Sequence, residues 1–223
     1  MNKESLKFAG TYISICIGSG FATGQEIMQF FSSHGIISIL SNILCMIFMC
    51  YCGVSLLSIG KNENFRENND IFNYLCGDYL GKFMKICMPL LFFLSFIVMI
   101  SGAGASINQY YGVNKWVGSL LISLLSLISV ILGMNKIISI LGNIGPLIAV
   151  FSIIIGLITI FKNYENLHII GESLNSIDVN KAGGNWYLGS IMYVGLNLVL
   201  VAPFLVGVGK SAKHKKSCFY GGV

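Results

Sequence analysis

Apolar windows about as long as a bilayer is thick recur along this 223-residue chain, and that recurrence leaves little choice of fold class. A hydrocarbon core about 30 Å thick takes about 20 apolar residues of helix to cross. Inside lipid each backbone N–H and C=O must find its partner within the protein, which a helix supplies from its own turns. Six such spans are read here, over residues 8–31, 36–59, 86–108, 116–134, 137–161 and 186–209. Only 10% of the residues are charged, against about 25% in a soluble domain, and the mean hydropathy is +0.77. The expectation is an all-α integral membrane chain, one transmembrane domain over residues 1–223. An amphipathic cytoplasmic segment is expected over residues 69–81, where Ile71, Phe72, Leu75, Tyr79 and Leu80 recur at helical spacing.

The first window does not read as a cleaved signal. It is too long, and it carries Gln25 and Glu26 where a signal peptide is uniformly apolar. Basic residues orient the spans. Lys115, Lys162 and Lys181 fall on one side, and the other 11 of the 14 Lys and Arg residues fall on the opposite side. The positive-inside rule then puts the N-terminus in the cytoplasm of a multi-pass cell-membrane protein. The formal net charge of +5 is read as a topology signal. No basic face on a soluble domain is present to engage nucleic acid.

Seven cysteines do not form a disulfide or zinc pattern. Cys16, Cys45, Cys50, Cys52 and Cys87 lie within spans, where Cys acts as a small hydrophobe. Cys76 and Cys218 fall on the reducing side. His34, His168 and His214 lie in three different loops, and neither a clustered acid pair nor a nucleophile motif accompanies them. An enzyme is therefore not expected, nor is a metal site or a resident cofactor.

The chemistry concentrates in the first window. Gly18 to Glu26 read G-S-G-F-A-T-G-Q-E. Each glycine in a helix interior costs roughly 1 kcal/mol relative to Ala, so a continuous helix is disfavoured here. Glu26 is the only acidic residue inside any of the six spans, and an intramembrane carboxylate is a functional-site hypothesis by default. Half-helix ends at mid-membrane leave backbone groups free to bind solute or ion. Thr23 and Glu26 also match a capping box. Under that reading Thr23 starts the outer half-helix and Glu26 folds back on its backbone. Glu26 is thus either a coupling carboxylate or a cap, and the two roles are compatible. Gly20 and Gly24 further match a helix-packing spacing.

The sixth window carries Gly189, Gly195, Asn197 and Pro203, and it is expected to be interrupted at the depth of the first break. Gly145-Pro146 in the fifth window reads as a kink or a hinge. The small-residue run Ser101 to Ser106 reads as helix packing.

Residues Phe8 to Phe31 closely resemble the first helix of the YkvI-like bacterial membrane proteins. That family is grouped with amino-acid permeases of the amino acid–polyamine–organocation superfamily. The Y-L-C-G-D-Y-L-G-K and M-Y-V-G-L-N stretches agree with the same family. The resemblance implies a LeuT-like fold, two inverted repeats of five helices with helices 1 and 6 discontinuous. This chain would then hold the first repeat and the first helix of the second, as a truncated reading frame. Carried over by position, Gly18, Ser19, Gly20, Phe21, Ala22 and Thr23 would line the substrate site from helix 1. Tyr193, Gly195 and Asn197 would line it from helix 6.

The functional expectation is a secondary active transporter for an amino acid or similar small organic solute, coupled to Na+ or H+. Its partners would be the lipid bilayer and the small-molecule solute, with no nucleic acid. The alternative is a six-helix substrate-capture subunit of a multi-component uptake system.

Overall fold

The computed structural model describes residues 3–18, 21, 24–164 and 181–223. Its elements in chain order are α1 (Lys3–Cys16), α2 (Gln25–Phe30), a 3-10 segment (Ser32–Ile37), α3 (Ser38–Asn62), α4 (Asp70–Tyr111), α5 (Lys115–Ile131), α6 (Met134–Lys162), α7 (Trp186–Lys210) and α8 (Lys215–Gly222). No strand occurs among the described residues. Four helical stretches are long and apolar enough to cross a membrane: Ser32–Asn62, Asp70–Tyr111, Lys136–Lys162 and Trp186–Lys210. The fourth window is a shorter apolar helix, α5, of 17 residues, at the lower limit for a span. In the first window, α1 and α2 are 14 and 6 residues long.

Two helix pairs build the centre. Parallel helices α3 and α7 pack along their length. At one end Ser41 and Ser190 are both fully buried, with their hydroxyls 2.6 Å apart. Ser190 Oγ also lies 2.9 Å from the Ser41 carbonyl, to which it can donate. At the other end Gly60 and Gly209 let the two backbones touch, since a Cβ on Gly60 would stand 2.8 Å from Val206 Cα. Hydroxyls and small residues are what join helices when lipid removes the hydrophobic driving force.

The second pair is α1 on the first half of α6. Thr11 Oγ1 donates to Ile138 O at 3.1 Å, and Ser14 Oγ donates to Leu141 O at 2.8 Å. Pro146 leaves the Gly142 carbonyl without its helical donor, and that carbonyl faces Gly10, where a Cβ would also stand 2.7 Å from Pro146 Cδ. Gly145-Pro146 thus sits within one unbroken helix, α6, and forms the surface on which α1 lies.

Burial separates central from peripheral helices. In their most apolar stretches, 39% of α7 and 28% of the Ser32–Asn62 stretch are buried, against 6% each for α4 and α6. Helices α4 and α5 form a hairpin packed chiefly on itself, with Gly104 against Ser119 and Gly118 against Ile107. The hairpin joins the centre where Ile71, Phe72 and Met88 enter the core beside Leu57 and Leu205.

The amphipathic segment differs from expectation. Gly77 (φ 76°, ψ 177°) breaks the helix there, a backbone state open to glycine. Ile71 and Phe72 are buried in the core, while Leu75, Tyr79 and Leu80 stay exposed, Tyr79 at 95%. The apolar residues therefore do not form one membrane-facing stripe. Lys85 pairs with Asp70 across the break. All seven cysteines are free thiols.

Candidate functional site

Helix α1 stops after Cys16, and its last turn is closed by the bond from Ile17 N–H to Ile13 O at 3.1 Å. Phe21 beyond it is helical, and α2 starts at Gln25. Gly24 is its N-cap, at φ 77°, with no side-chain cap hydrogen bond. This corrects the capping-box expectation, which placed the helix start at Thr23. A left-handed residue at position 24 moves the start one residue on, and glycine takes that conformation readily. Ser19, Gly20, Ala22 and Thr23 lie outside the described residues. His168, read as a loop residue, lies outside them too.

Glu26 occupies the first turn of α2 and is half-buried. Its carboxylate turns toward the end of α1: a Cβ on Gly18 would stand 4.0 Å from Glu26 Oε1 and 3.5 Å from Met99 Cε. Among the described residues no cation lies within ion-pair distance of Glu26.

The end of α1 opens on a cleft of about 410 Å³. Ile17 and Gly18 form one wall, Phe96, Met99, Gly102 and Ser106 of α4 a second, and Ile122 and Ser126 of α5 a third. The two hydroxyls are anchored on their own helices. Ser106 Oγ donates to Gly102 O at 3.0 Å, and Ser126 Oγ donates to Ile122 O at 2.9 Å. The α4 and α5 walls were missed in the sequence. The run Ser101 to Ser106 read as packing, which holds for Gly104, whereas Gly102 and Ser106 border the cleft. Residues two apart on a helix face nearly opposite ways, so one small-residue run serves both surfaces.

Helix α7 approaches from the other side. The Tyr193 ring meets Phe30 and Phe31 edge-on, with centroids 5.5 Å and 5.1 Å away. Asn197, one turn further on the same face, donates from Nδ2 to Tyr193 O at 3.0 Å. Gly195 is exposed, and a Cβ there would meet nothing within 4 Å. The expected interruption of this segment is not seen: α7 is one helix from Trp186 to Lys210, with Pro203 buried inside it. The Asn197 amide spends its hydrogen on the preceding turn and leaves the helix intact. Of the α7 residues expected at the site, Tyr193 and Asn197 share the face toward α2, while Gly195 lies off it.

The arrangement offers a semi-enclosed, largely apolar cleft, one carboxylate and a helix end at its edge. Such a set can hold and release a small solute.

The chain is 28% identical over 213 residues to "Uncharacterized membrane protein YkvI" of Bacillus subtilis (strain 168), a match covering 94% of this chain and 58% of that protein. It is 26% identical over 217 residues to "Uncharacterized protein YyaD" of the same organism, covering 95% of this chain and 58% of that one. The chain thus spans less than two thirds of the length of either relative. No family model matches the chain, and no solved structure matches it. Apolar helices and a relative named as a membrane protein agree: this is a multi-pass membrane protein similar to YkvI and YyaD.

Proposed function

We propose that the chain belongs to a secondary active transporter of an amino acid or a similar small organic solute, coupled to H+ or Na+. One observation carries the reading. A helix ends at Cys16 inside an apolar segment, beside a half-buried carboxylate and a cleft of about 410 Å³. Chain breaks of this kind are tolerated at membrane depth only where they line a cavity or are buried in protein. They are the construction from which many transporters make a solute site. Under this reading the lysine-rich end of the bundle is cytoplasmic and the membrane is the cell membrane. Solute would lie between the end of α1 and the α4 wall, with Tyr193 and Asn197 supporting α2 from behind. The resemblance extends this to a LeuT-like arrangement in which further helices complete the site.

The solute itself would supply what the cleft lacks. The cleft walls are mostly apolar, so the solute's polar groups must meet the end of α1 and the Glu26 carboxylate. Glu26 then serves either as a proton carrier or as the partner of a bound cation. The α4–α5 hairpin, packed mainly on itself, is the element free to shift against the α1–α6 and α3–α7 pairs.

The test is solute binding and counterflow in proteoliposomes, surveyed across labelled amino acids at several pH values, with and without Na+. Saturable uptake is expected, with pH or Na+ dependence lost in Glu26→Gln while the protein still inserts. Gly102→Leu, which fills the cleft from α4, is expected to abolish binding. A Glu26→Gln protein with unchanged coupling would remove Glu26 from the mechanism. Unchanged binding in Gly102→Leu would remove the cleft.

A further inference from the structure

The lysine-rich end of the bundle holds a second cleft, of about 360 Å³, between α1 and α6. Lys3, Lys7 and Glu4 line it from α1, Ser139 from α6, and Ser211 from just beyond α7. Lys7 Nζ donates to Ser139 Oγ at 3.3 Å. The Ser139 hydroxyl keeps its own proton, which has no protein acceptor among the described residues. Lys136 stands one turn before Ser139 on the same helix, and it is exposed.

Three other charged groups of this end are already engaged. Lys61 donates to Ala212 O. Lys210 donates to Phe65 O and to Asn68 Oδ1. The Glu4 carboxylate accepts from the Lys213 N–H at 2.9 Å and from Ser217 Oγ at 2.5 Å. Burial pushes the Glu4 pKa up, but these two bonds and the charges of His214 and Lys213 outweigh it and hold the pKa below the ordinary 4.5. Glu4 is thus ionised and turned to its own donors. Two ammonium groups and a hydroxyl proton remain to face the cleft.

The rest of the cleft is apolar. Phe8 and Ile138 line it. Leu6, beside Lys7 on α1, is an exposed apolar side chain. A pocket that carries two lysines over apolar walls, at the end of a bundle of apolar helices, suits an amphiphile with an anionic head. Basic pockets between transmembrane helices bind lipid head groups in this way.

We propose that this cleft binds the phosphate of an anionic phospholipid. Lys3, Lys7 and Ser139 hold the head group, and the acyl chains leave the cleft past Phe8 and Leu6. The bound lipid ties α1 to α6, the pair that fixes the position of the first-window break.

Native mass spectrometry and thermal unfolding of the purified chain in detergent test this. The probes are phosphatidylglycerol, phosphatidylcholine of the same acyl chains, and inorganic phosphate. Phosphatidylglycerol is expected to stay bound and to raise the melting temperature, with the other two having little effect. Each lysine near the membrane surface contributes about fivefold in affinity, so Lys3→Gln with Lys7→Gln should weaken binding about 25-fold. Lys3→Arg with Lys7→Arg should retain it, as should Lys115→Gln at the opposite end. All three proteins should melt alike without lipid, which separates lost binding from lost folding. Equal retention of phosphatidylcholine would overturn the proposal. So would undiminished phosphatidylglycerol binding in the double glutamine variant, and so would equal protection by inorganic phosphate, which would make this a free-anion site.

Discussion

The two ends of this bundle are held together by different means. At the lysine-rich end, backbones touch: Gly10 on Gly142 and Gly145, Gly60 on Val206, Gly222 on Val54, while Gly221 takes the Phe8 side chain. The large buried side chains, among them Leu57, Ile71, Met88 and Leu205, gather there with Val206 and Val208. At the other end the buried cluster is small, namely Phe31, Cys45 and Val194. There the polar clamp of Ser41 and Ser190 and the edge-on rings of Phe30, Phe31 and Tyr193 supply the contacts. Between the two ends lie the break in the first window and its cleft. The difference shows where movement is cheap. Close backbone packing has no slack, because interiors are as dense as molecular crystals. A chain break next to a loosely attached hairpin can rearrange without opening such a contact.

The comparison breaks most sharply at Gly10. A leucine there would drive side-chain atoms into the Gly142 carbonyl and the Pro146 ring, where even a Cβ would lie 2.7 Å from Cδ. Overpacking of that kind costs about 3 kcal/mol, and more where backbone blocks relief. Thermal unfolding in detergent should show the largest loss of any variant named here, together with loss of the monodisperse peak. A protein that tolerates Gly10→Leu would show that α1 and α6 are not rigidly paired, and the contrast between the two ends would fall.

The hydroxyl clamp comes next. Replacing Ser41 and Ser190 together by alanine removes a buried pair, with both residues at 0% exposure, and leaves no donor stranded. Interhelical polar contacts in membranes contribute about 1–2 kcal/mol at most. The double variant should therefore lose less than Gly10→Leu, as measured by the same melt. A loss as large as that of Gly10→Leu would place the two ends on an equal footing.

These contrasts were only partly legible in the sequence. Windows of apolar residues mark the helices because bilayer thickness dictates their length, and α3, α6 and α7 follow the windows within a few residues. Gly18, with Glu26 beyond it, marked the break, since glycine and charge both oppose a continuous apolar helix. The fate of Asn197 was not legible. A mid-span asparagine can open a helix or bond to its own preceding turn, and only packing decides which. Gly102 and Gly104 look alike in sequence, yet one borders the cleft and the other packs on Ser119. Their difference is a matter of helix rotation, which the position of α5 sets.

The smallest expected effect lies at Glu4, and it tests the comparison from within the rigid end. Glu4 ties α1 to the start of α8 through Lys213 N–H and Ser217 Oγ. Its pKa is depressed by those partners, so the carboxylate contributes stability above its ordinary 4.5. That contribution disappears as pH falls through the lowered folded-state value. Glu4 is largely solvated, and solvent screening limits such a contact to about 0.5 kcal/mol. Helix α8 is independently held by Gly221 on Phe8 and Gly222 on Val54. Glu4→Gln should therefore melt slightly below the wild type at pH 7, and the gap should close as both are taken below pH 4.5. A gap that persists in acid would mean the side chain acts by shape and not by charge. A gap as wide as that of the serine pair would mean that a surface carboxylate, and not the packing of Phe8 on Gly221, keeps α1 and α8 together.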